Sequence, residues 1–312
     1  MPLNVIVLEF DPIVRIGETE VRLETIALAV VLTLSLLVAG LIARVTPAGP
    51  LQVSANAGEG QARDPKGAET LRADDLLLIS LGALPGAVVG GRLGYVLLHA
   101  DFYAAHPALA IDPASGSLEL TLGVVGGILS AAYVLHLLDT PIARWAHVAA
   151  YPLLLALGAG KMVQALGGDG QGLPADLPWA TLYSGDGPWG SLGPEIASHP
   201  AQLYEGIATL LLLQFLTFAG MRGAFRRLDG SALLVGLALW ALVRAAVATT
   251  WRDAPVLGPL RAEQLMALGL AAACALLLVV RRVRQREGVS SPRPAVAMER
   301  PRAPGGNLGS GG

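Results

Sequence analysis

Along this chain, apolar residues gather into seven long runs separated by short polar stretches, at about residues 24–43, 76–98, 119–138, 145–166, 201–219, 231–250 and 262–280. Each approaches the roughly 17–25 mostly apolar residues that a helix needs to cross a bilayer. The runs are built from Leu, Ala, Val and Gly. Pro85, Gly86, Gly126, Gly127 and Pro152 fall inside them. Membrane helices tolerate such residues, because small side chains let backbones approach closely. The pattern predicts an all-α, polytopic membrane helical bundle of about seven transmembrane helices.

The polar stretches between the runs set an orientation. Arg44, Arg63, Lys66 and Arg72 lie after the first run, Arg144 after the third, Arg222, Arg226 and Arg227 after the fifth, and Arg281, Arg282, Arg284 and Arg286 after the last. These alternate loops belong on the cytoplasmic side, where Lys and Arg concentrate. The loops on the other side, 99–118 and 167–200, contain no Arg or Lys; the short 251–261 turn, with Arg252 and Arg261, breaks the pattern. The expected topology places the N-terminus outside and the C-terminus in the cytoplasm. Glu9, Asp11 and Glu18 precede the first run without a basic cluster, so a retained helix is expected there rather than a secretory signal. The domain expectation is an integral membrane unit over 1–286, with a loose cytoplasmic linker at 45–74 and a disordered tail at 287–312. The external loops 99–118 and 167–200 carry Phe102, Tyr103, Trp179, Tyr183 and Trp189, aromatic residues suited to packing at the membrane surface.

Composition narrows the class of function. The chain is 53% hydrophobic and 15% charged, with a net charge of −2, so no basic field points to nucleic acid. The single cysteine, Cys274, lies in an apolar run and reads as a small buried hydrophobe. There is neither a disulfide framework nor a cysteine metal cluster to read from it.

Ionisable residues inside spans are candidates for function, because burying them in lipid is costly. Arg92, Lys161 and Arg244 lie at similar depth toward the outer face, with few acids near them in sequence. A lipid phosphate would explain all three, since Arg grips phosphate with a planar fork and Lys acts as a point charge; separate snorkelling to the headgroups is the alternative. His136 and Glu263 read as structural, Glu263 as an acid suited to the positive end of its helix. The heptapeptide His199-Pro200-Ala201-Gln202-Leu203-Tyr204-Glu205 opens the fifth span. Pro fits the first turn, and Gln202 and Glu205 share a helix face. His199 suits either proton transfer near neutral pH or helix capping.

Several of these stretches resemble one family, the phosphatidylglycerol–prolipoprotein diacylglyceryl transferases of bacterial inner membranes. GGRLGYVLLH at 90–99 resembles that family's GxRLGYVLFY, and LGAGKMVQALGGDGQGLPADLPWA at 157–180 resembles its signature LGxGRxGNFxNxExxGxPTDLPWA. HPAQLYE at 199–205 is similar to HPSQLYE, and Arg244, the pair Arg252-Asp253 and Gln264 follow in the family's order.

The resemblance implies a seven-helix enzyme of the bacterial cytoplasmic membrane with its amino end outside. It would transfer the diacylglyceryl group of phosphatidylglycerol to the lipobox cysteine thiol of prolipoprotein signal peptides, release glycerol phosphate, and need no cofactor or metal. Its partners would be the bilayer, phosphatidylglycerol and the signal peptide. Carried over by position, Arg244, Lys161 and His199 are the catalytic candidates. Arg92, Tyr95, Gln164, Gly172, Gln202, Tyr204 and Glu205 are the lipid-binding ones. The chain departs from the family's pattern where Val125 replaces a third-helix His, Lys161 a signature Arg, Gln164 and Gly167 two Asn residues, and Arg22-Leu23-Glu24-Thr25 a stretch with a Tyr. His199 or Glu24 would then have to serve as base, unless the cations alone activate the thiol. A silent or altered-specificity paralogue that binds anionic phospholipid, and a membrane transporter, stand as alternatives.

Overall fold

The computed structural model describes residues 5–49, 69–112, 116–185 and 187–290, with side chains described to residue 286. Seven of its helices are long and apolar enough to cross a membrane. In chain order the helices are α1 (Leu23–Val45), α2 (Asp75–Leu98), the short α3 (Ala100–Ala105), α4 (Leu120–Leu137), α5 (Ile142–Gly167), α6 (Ala201–Met221), α7 (Ser231–Val247) and α8 (Ala262–Ser290). Every apolar run read from the sequence falls on one of the seven long helices. Pro85 and Pro152 sit inside α2 and α5 without ending them. Helix α8 runs through Ser290, beyond the expected start of the tail at 287; residues 291–312 lie outside the described residues.

Helices α5, α6, α7 and α8 form the centre. Leu154, Leu157, Leu212, Leu216, Leu237 and Trp240 interlock there, and Cys274 is buried beside them. Helix α1 packs on α5, while α2 and α4 pair with each other along nearly their full length. That pairing follows from sequence. Gly82, Gly86, Gly90 and Gly94 recur every fourth residue and form one stripe on α2. A Cβ added at Gly86 would overlap the carbonyl oxygen of Gly126 on α4, and one at Gly126 would overlap that of Gly86. The two backbones therefore touch directly, as small residues allow in membrane helices. The outward faces of α1 and α2 carry exposed Leu37, Leu41, Leu77 and Val89, an arrangement suited to a hydrocarbon surround.

At one end of the bundle the connections are built rather than loose. Strand β1 (Ile6–Glu9) pairs in parallel with β4 (Thr181–Ser184), and β2 (Ile13–Ile16) forms a hairpin with β3 (Thr19–Arg22). A third pair, β5 (Pro255–Leu257) with β6 (Leu260–Arg261), makes the α7–α8 turn. The N-terminal segment thus shares an end with loop 167–200, as the four crossings between them, an even number, require. At the opposite end, the described ends of linker 45–74 are zipped: Ala48 N–H donates to Glu69 O, Leu71 N–H to Thr46 O, and Leu71 is buried beside Ala43 and Trp145. The loose-linker expectation is corrected for those ends, because an apolar Leu71 has a core to enter. Residues 50–68 lie outside the described residues.

Candidate functional site

The polar centre of the molecule is Arg244, near the end of α7 and 3% exposed. Its Nε donates to Thr121 Oγ1 at 3.0 Å, Nη1 to Glu205 Oε1 at 2.9 Å and Oε2 at 3.2 Å, and Nη2 to Glu119 Oε1 at 3.4 Å. Glu263 Oε1 stands 3.9 Å from Nη2. The guanidinium carbon lies 4.6 Å from the ring centre of Trp251 and 5.9 Å from that of Trp240. One side chain therefore ties α4, α6 and α8 to α7. Lys161 reaches the same cluster from α5, its Nζ 3.4 Å from Glu205 Oε2.

Each acid is held by its helix. Glu119 caps α4, its two oxygens accepting from Thr121 N–H at 2.6 Å and Leu122 N–H at 2.7 Å. Glu205 lies within the second turn of α6, wholly buried. Glu263 lies in the first turn of α8, whose start is pinned by Gln264: its Oε1 accepts from Arg261 N–H at 2.9 Å and its Nε2 donates to Ala245 O at 3.0 Å.

Beside this cluster is a cavity of about 330 Å³ lined by Lys161, Gln164, Gln202, Glu205, Arg244 and Trp251, and closed at its edges by Arg252, Asp253, Glu263 and part of loop 167–200. Among the expected site residues, the structure brings together Arg244, Lys161, Gln164, Gln202 and Glu205. Arg252 joins them at a set position, its Nε donating to Gly172 O at 2.7 Å and an Nη to Ser198 Oγ at 3.0 Å.

The amide of Gln202 has a fixed orientation. Tyr183 donates its hydroxyl proton to Ala165 O at 2.9 Å, so its oxygen must accept from Gln202 Nε2 at 3.2 Å. Gln202 Oε1 is then left without a protein partner, as is Gln164 Oε1, and both residues line the cavity. Two buried acceptors await donors from a ligand or water. Burial pushes the Tyr183 hydroxyl up to about 12, so it remains a proton donor throughout the physiological range.

Six expected residues sit elsewhere. Arg92 points away from the cavity and donates to the carbonyl oxygens of Leu109, Ala110 and Asp112, with its guanidinium over the ring of Tyr103 at 5.4 Å. It pins loop 99–118, and the idea that three cations converge is corrected to two span cations plus Arg252. Tyr95 stacks on His99 at 4.2 Å in the same loop anchor. His199 places Nδ1 3.3 Å from the Tyr204 hydroxyl, and Tyr204 accepts from Trp179 Nε1 at 2.7 Å; neither lines the cavity. Gly172 is a packing position: a Cβ there would overlap Thr250 O. Glu24 lies against Gly167, beside Arg22, and does not line the cavity either.

The acids around Arg244 change the charge argument. The span cations looked unaccompanied in sequence, yet Glu119 comes 125 positions earlier in the chain and Glu205 39. Glu119 is the residue that sequence reasoning missed. An acid at the very first position of an apolar run, where it caps a helix, was the available signal. Val125 lies four residues after Thr121 on the same face of α4, so an apolar side chain occupies the next turn below Arg244.

The family model described as prolipoprotein diacylglyceryl transferase matches residues 52–280. The chain is 32% identical over 225 residues to the phosphatidylglycerol–prolipoprotein diacylglyceryl transferase of Trichormus variabilis, covering 69% of this chain and 78% of that one. It is 31% identical over 197 residues to the protein of that name from a Nostoc species, covering 61% of this chain and 68% of the relative. It is 30% identical over 237 residues to the one from Gluconobacter oxydans, covering 74% and 76%. By that match over most of its length and by these identities, the chain belongs to the prolipoprotein diacylglyceryl transferase family.

Proposed function

We propose that this chain transfers the diacylglyceryl group of phosphatidylglycerol to a lipobox cysteine thiol of a prolipoprotein signal peptide, releasing glycerol phosphate. The observation that carries the reading is the pairing, in one cavity, of cations with two partnerless amide oxygens. A phosphate needs positive charge, and a glycerol headgroup offers hydroxyl donors. Lys161, with one ion pair among the described residues for its three N–H donors, and Arg252 take the phosphate. Gln202 Oε1 and Gln164 Oε1 accept from the headgroup hydroxyls. At about 330 Å³ the cavity suits a headgroup, with the acyl chains left in the bilayer.

In the reaction, thiolate sulfur attacks the glyceryl carbon, a C–S bond forms, and the C–O bond to phosphate breaks. Negative charge gathers on the departing phosphate. Fixed cations in a site sheltered from water stabilise that charge without reorganising. Arg244 supplies a buried positive centre held by Glu119 and Glu205, and these acids in turn orient it.

The orientation belongs to the same proposal: the cavity and the N-terminus face the outside of the cytoplasmic membrane. Loops 99–118 and 167–200 at the cavity end lack Lys and Arg, while Arg222, Arg226 and Arg227 lie at the opposite end. The two exceptions have local employment, Arg252 on Gly172 O and Arg261 on Asp253 O.

The test is a mass measurement. Purified protein in phosphatidylglycerol nanodiscs, given a lipobox peptide, should raise the peptide mass by one diacylglyceryl group. An unchanged mass at full protein level would overturn the reading and favour a lipid-binding paralogue. Tyr183→Phe provides a finer check. It removes the group that holds the Gln202 amide, worth about 1 kcal/mol, so KM for phosphatidylglycerol should rise about fivefold with kcat nearly constant. An unchanged KM would remove Gln202 from headgroup recognition.

A further inference from the structure

Attack by a cysteine needs its thiolate, and an ordinary thiol with a pKa of about 8.5 is only a few per cent ionised near neutral pH. The proton must go to a side chain that faces the reacting sulfur. His199 and Glu24 do not line the cavity, and His199 is engaged by Tyr204.

Four acids stand in or beside the cavity, and three are already committed or misplaced. Glu205 is wholly buried, with Oε1 held by Arg244 and Oε2 shared between Arg244 and Lys161. Glu119 spends both oxygens on helix N–H groups and does not line the cavity. Asp253 is exposed at the mouth, in the α7–α8 turn. Glu263 differs from all three. Its side chain is 20% exposed, it lines the cavity, and its one ion pair among the described residues, to Arg244 Nη2, is long at 3.9 Å. Gln264 pins the backbone next to it to both α7 and the preceding turn, so the carboxylate is held at a defined place.

Resting on the transferase reading, we propose that Glu263 is the catalytic base that takes the thiol proton. The carboxylate accepts the proton from S–H. The thiolate sulfur forms the C–S bond as the glyceryl C–O bond to phosphate breaks. Glu263 then returns the proton to the departing glycerol phosphate, which leaves the enzyme in its starting state. Glu263 sits in a field set by Arg244 on α7, Lys161 on α5, Glu119 on α4 and Asp253 in the turn, with Glu205 of α6 behind Arg244. The nearest of these is Arg244, which holds the carboxylate beside the same positive centre that the phosphate leaves toward. Helix-end placement, read from sequence as dipole compensation alone, thereby gains a chemical use.

The experiment compares wild-type protein and Glu263→Gln, full chain in phosphatidylglycerol nanodiscs, with a lipobox peptide. Loss of a general base lowers the rate by about 10²–10⁴-fold. Glu263→Gln should therefore lose about 100-fold or more in kcat near pH 7, with phosphatidylglycerol affinity and unfolding temperature held at wild-type values. About one pH unit above the thiol pKa of about 8.5, where most of the peptide is already thiolate, the variant should recover to within about tenfold of wild type. A variant that keeps a third or more of the wild-type rate near neutral pH overturns the assignment. So does a loss that alkaline pH does not recover, which marks a structural role. A wild-type protein that transfers nothing overturns the transferase reading and this assignment together, whereas an active wild type beside an equally active variant overturns the assignment alone.

Discussion

Arg244→Leu is expected to cut transfer by about 100-fold or more and to lower stability by about 3–5 kcal/mol, the cost of stranding buried charges when one partner is removed. The side chain contacts Thr121 and Glu119 of α4, Glu205 of α6 and Glu263 of α8. Its loss does not leave those acids wholly bare. Glu119 keeps two N–H donors, at 2.6 and 2.7 Å, and Glu205 keeps Lys161 at 3.4 Å. The stability loss should therefore fall near the low end of the range. The rate should fall about 10²–10³-fold, the usual cost of removing one preorganised electrostatic group from a reacting centre. Arg244→Lys separates the two effects. One ammonium cannot reach Thr121, Glu119 and Glu205 together, so it should restore part of the stability and little of the rate. Adding Glu119→Gln to Arg244→Leu should likewise recover stability without activity, since a buried charge disappears while the buried positive centre beside the phosphate site is still missing. Unfolding temperature in detergent and the peptide mass shift read the two quantities. Arg244→Leu protein with half the wild-type rate would dismiss the central role given to this residue.

The legibility of the molecule in its sequence divides along one physical line. Spans are local: twenty apolar residues in lipid must satisfy their own backbone, so each run is a helix whatever its neighbours do. All seven runs are helices, with ends shifted by a few residues. The site is not local. Lys161, Gln202, Glu205 and Arg244 are conspicuous in sequence as polar groups in a span, yet which of them meet depends on how helices rotate about their axes. Arg92 was as conspicuous as Arg244 and sits on α2, where its guanidinium finds the loop carbonyls of Leu109 and Ala110 instead of the cavity. Glu263 has an ordinary explanation as an acid at a helix start, and a helix dipole does not reveal what else faces the same carboxylate; Glu119 stands at the edge of its run, where a polar residue is not conspicuous. Tyr183 lies in β4, a strand too short to show a period in sequence, and only its burial against Ala165 and Gln202 gives it a part in the site.

Gly126→Leu should prise α2 from α4 and carry the damage to the cavity. A Cβ at Gly126 would overlap the carbonyl oxygen of Gly86, a backbone atom that cannot rotate aside. The helices must separate, which puts the cost at or above the upper end of the usual overpacking range of about 1–3 kcal/mol. The consequence for function follows from where α4 begins. Glu119 caps that helix and Thr121 opens it, and both hold Arg244. A shift of α4 draws them off the guanidinium, so transfer should fall along with stability although Gly126 is almost two helical turns from Glu119. Gly123→Ala, on the same helix, gives the comparison. Its Cβ would stand 3.4 Å from Ala87 O and 3.6 Å from Gly91 Cα, ordinary contact distances, so wild-type unfolding temperature and rate are expected. If Gly126→Leu unfolds at the wild-type temperature, direct backbone contact is not what joins α2 to α4. If it unfolds early yet transfers at the wild-type rate, the hold of α4 on Arg244 is not part of the catalytic arrangement.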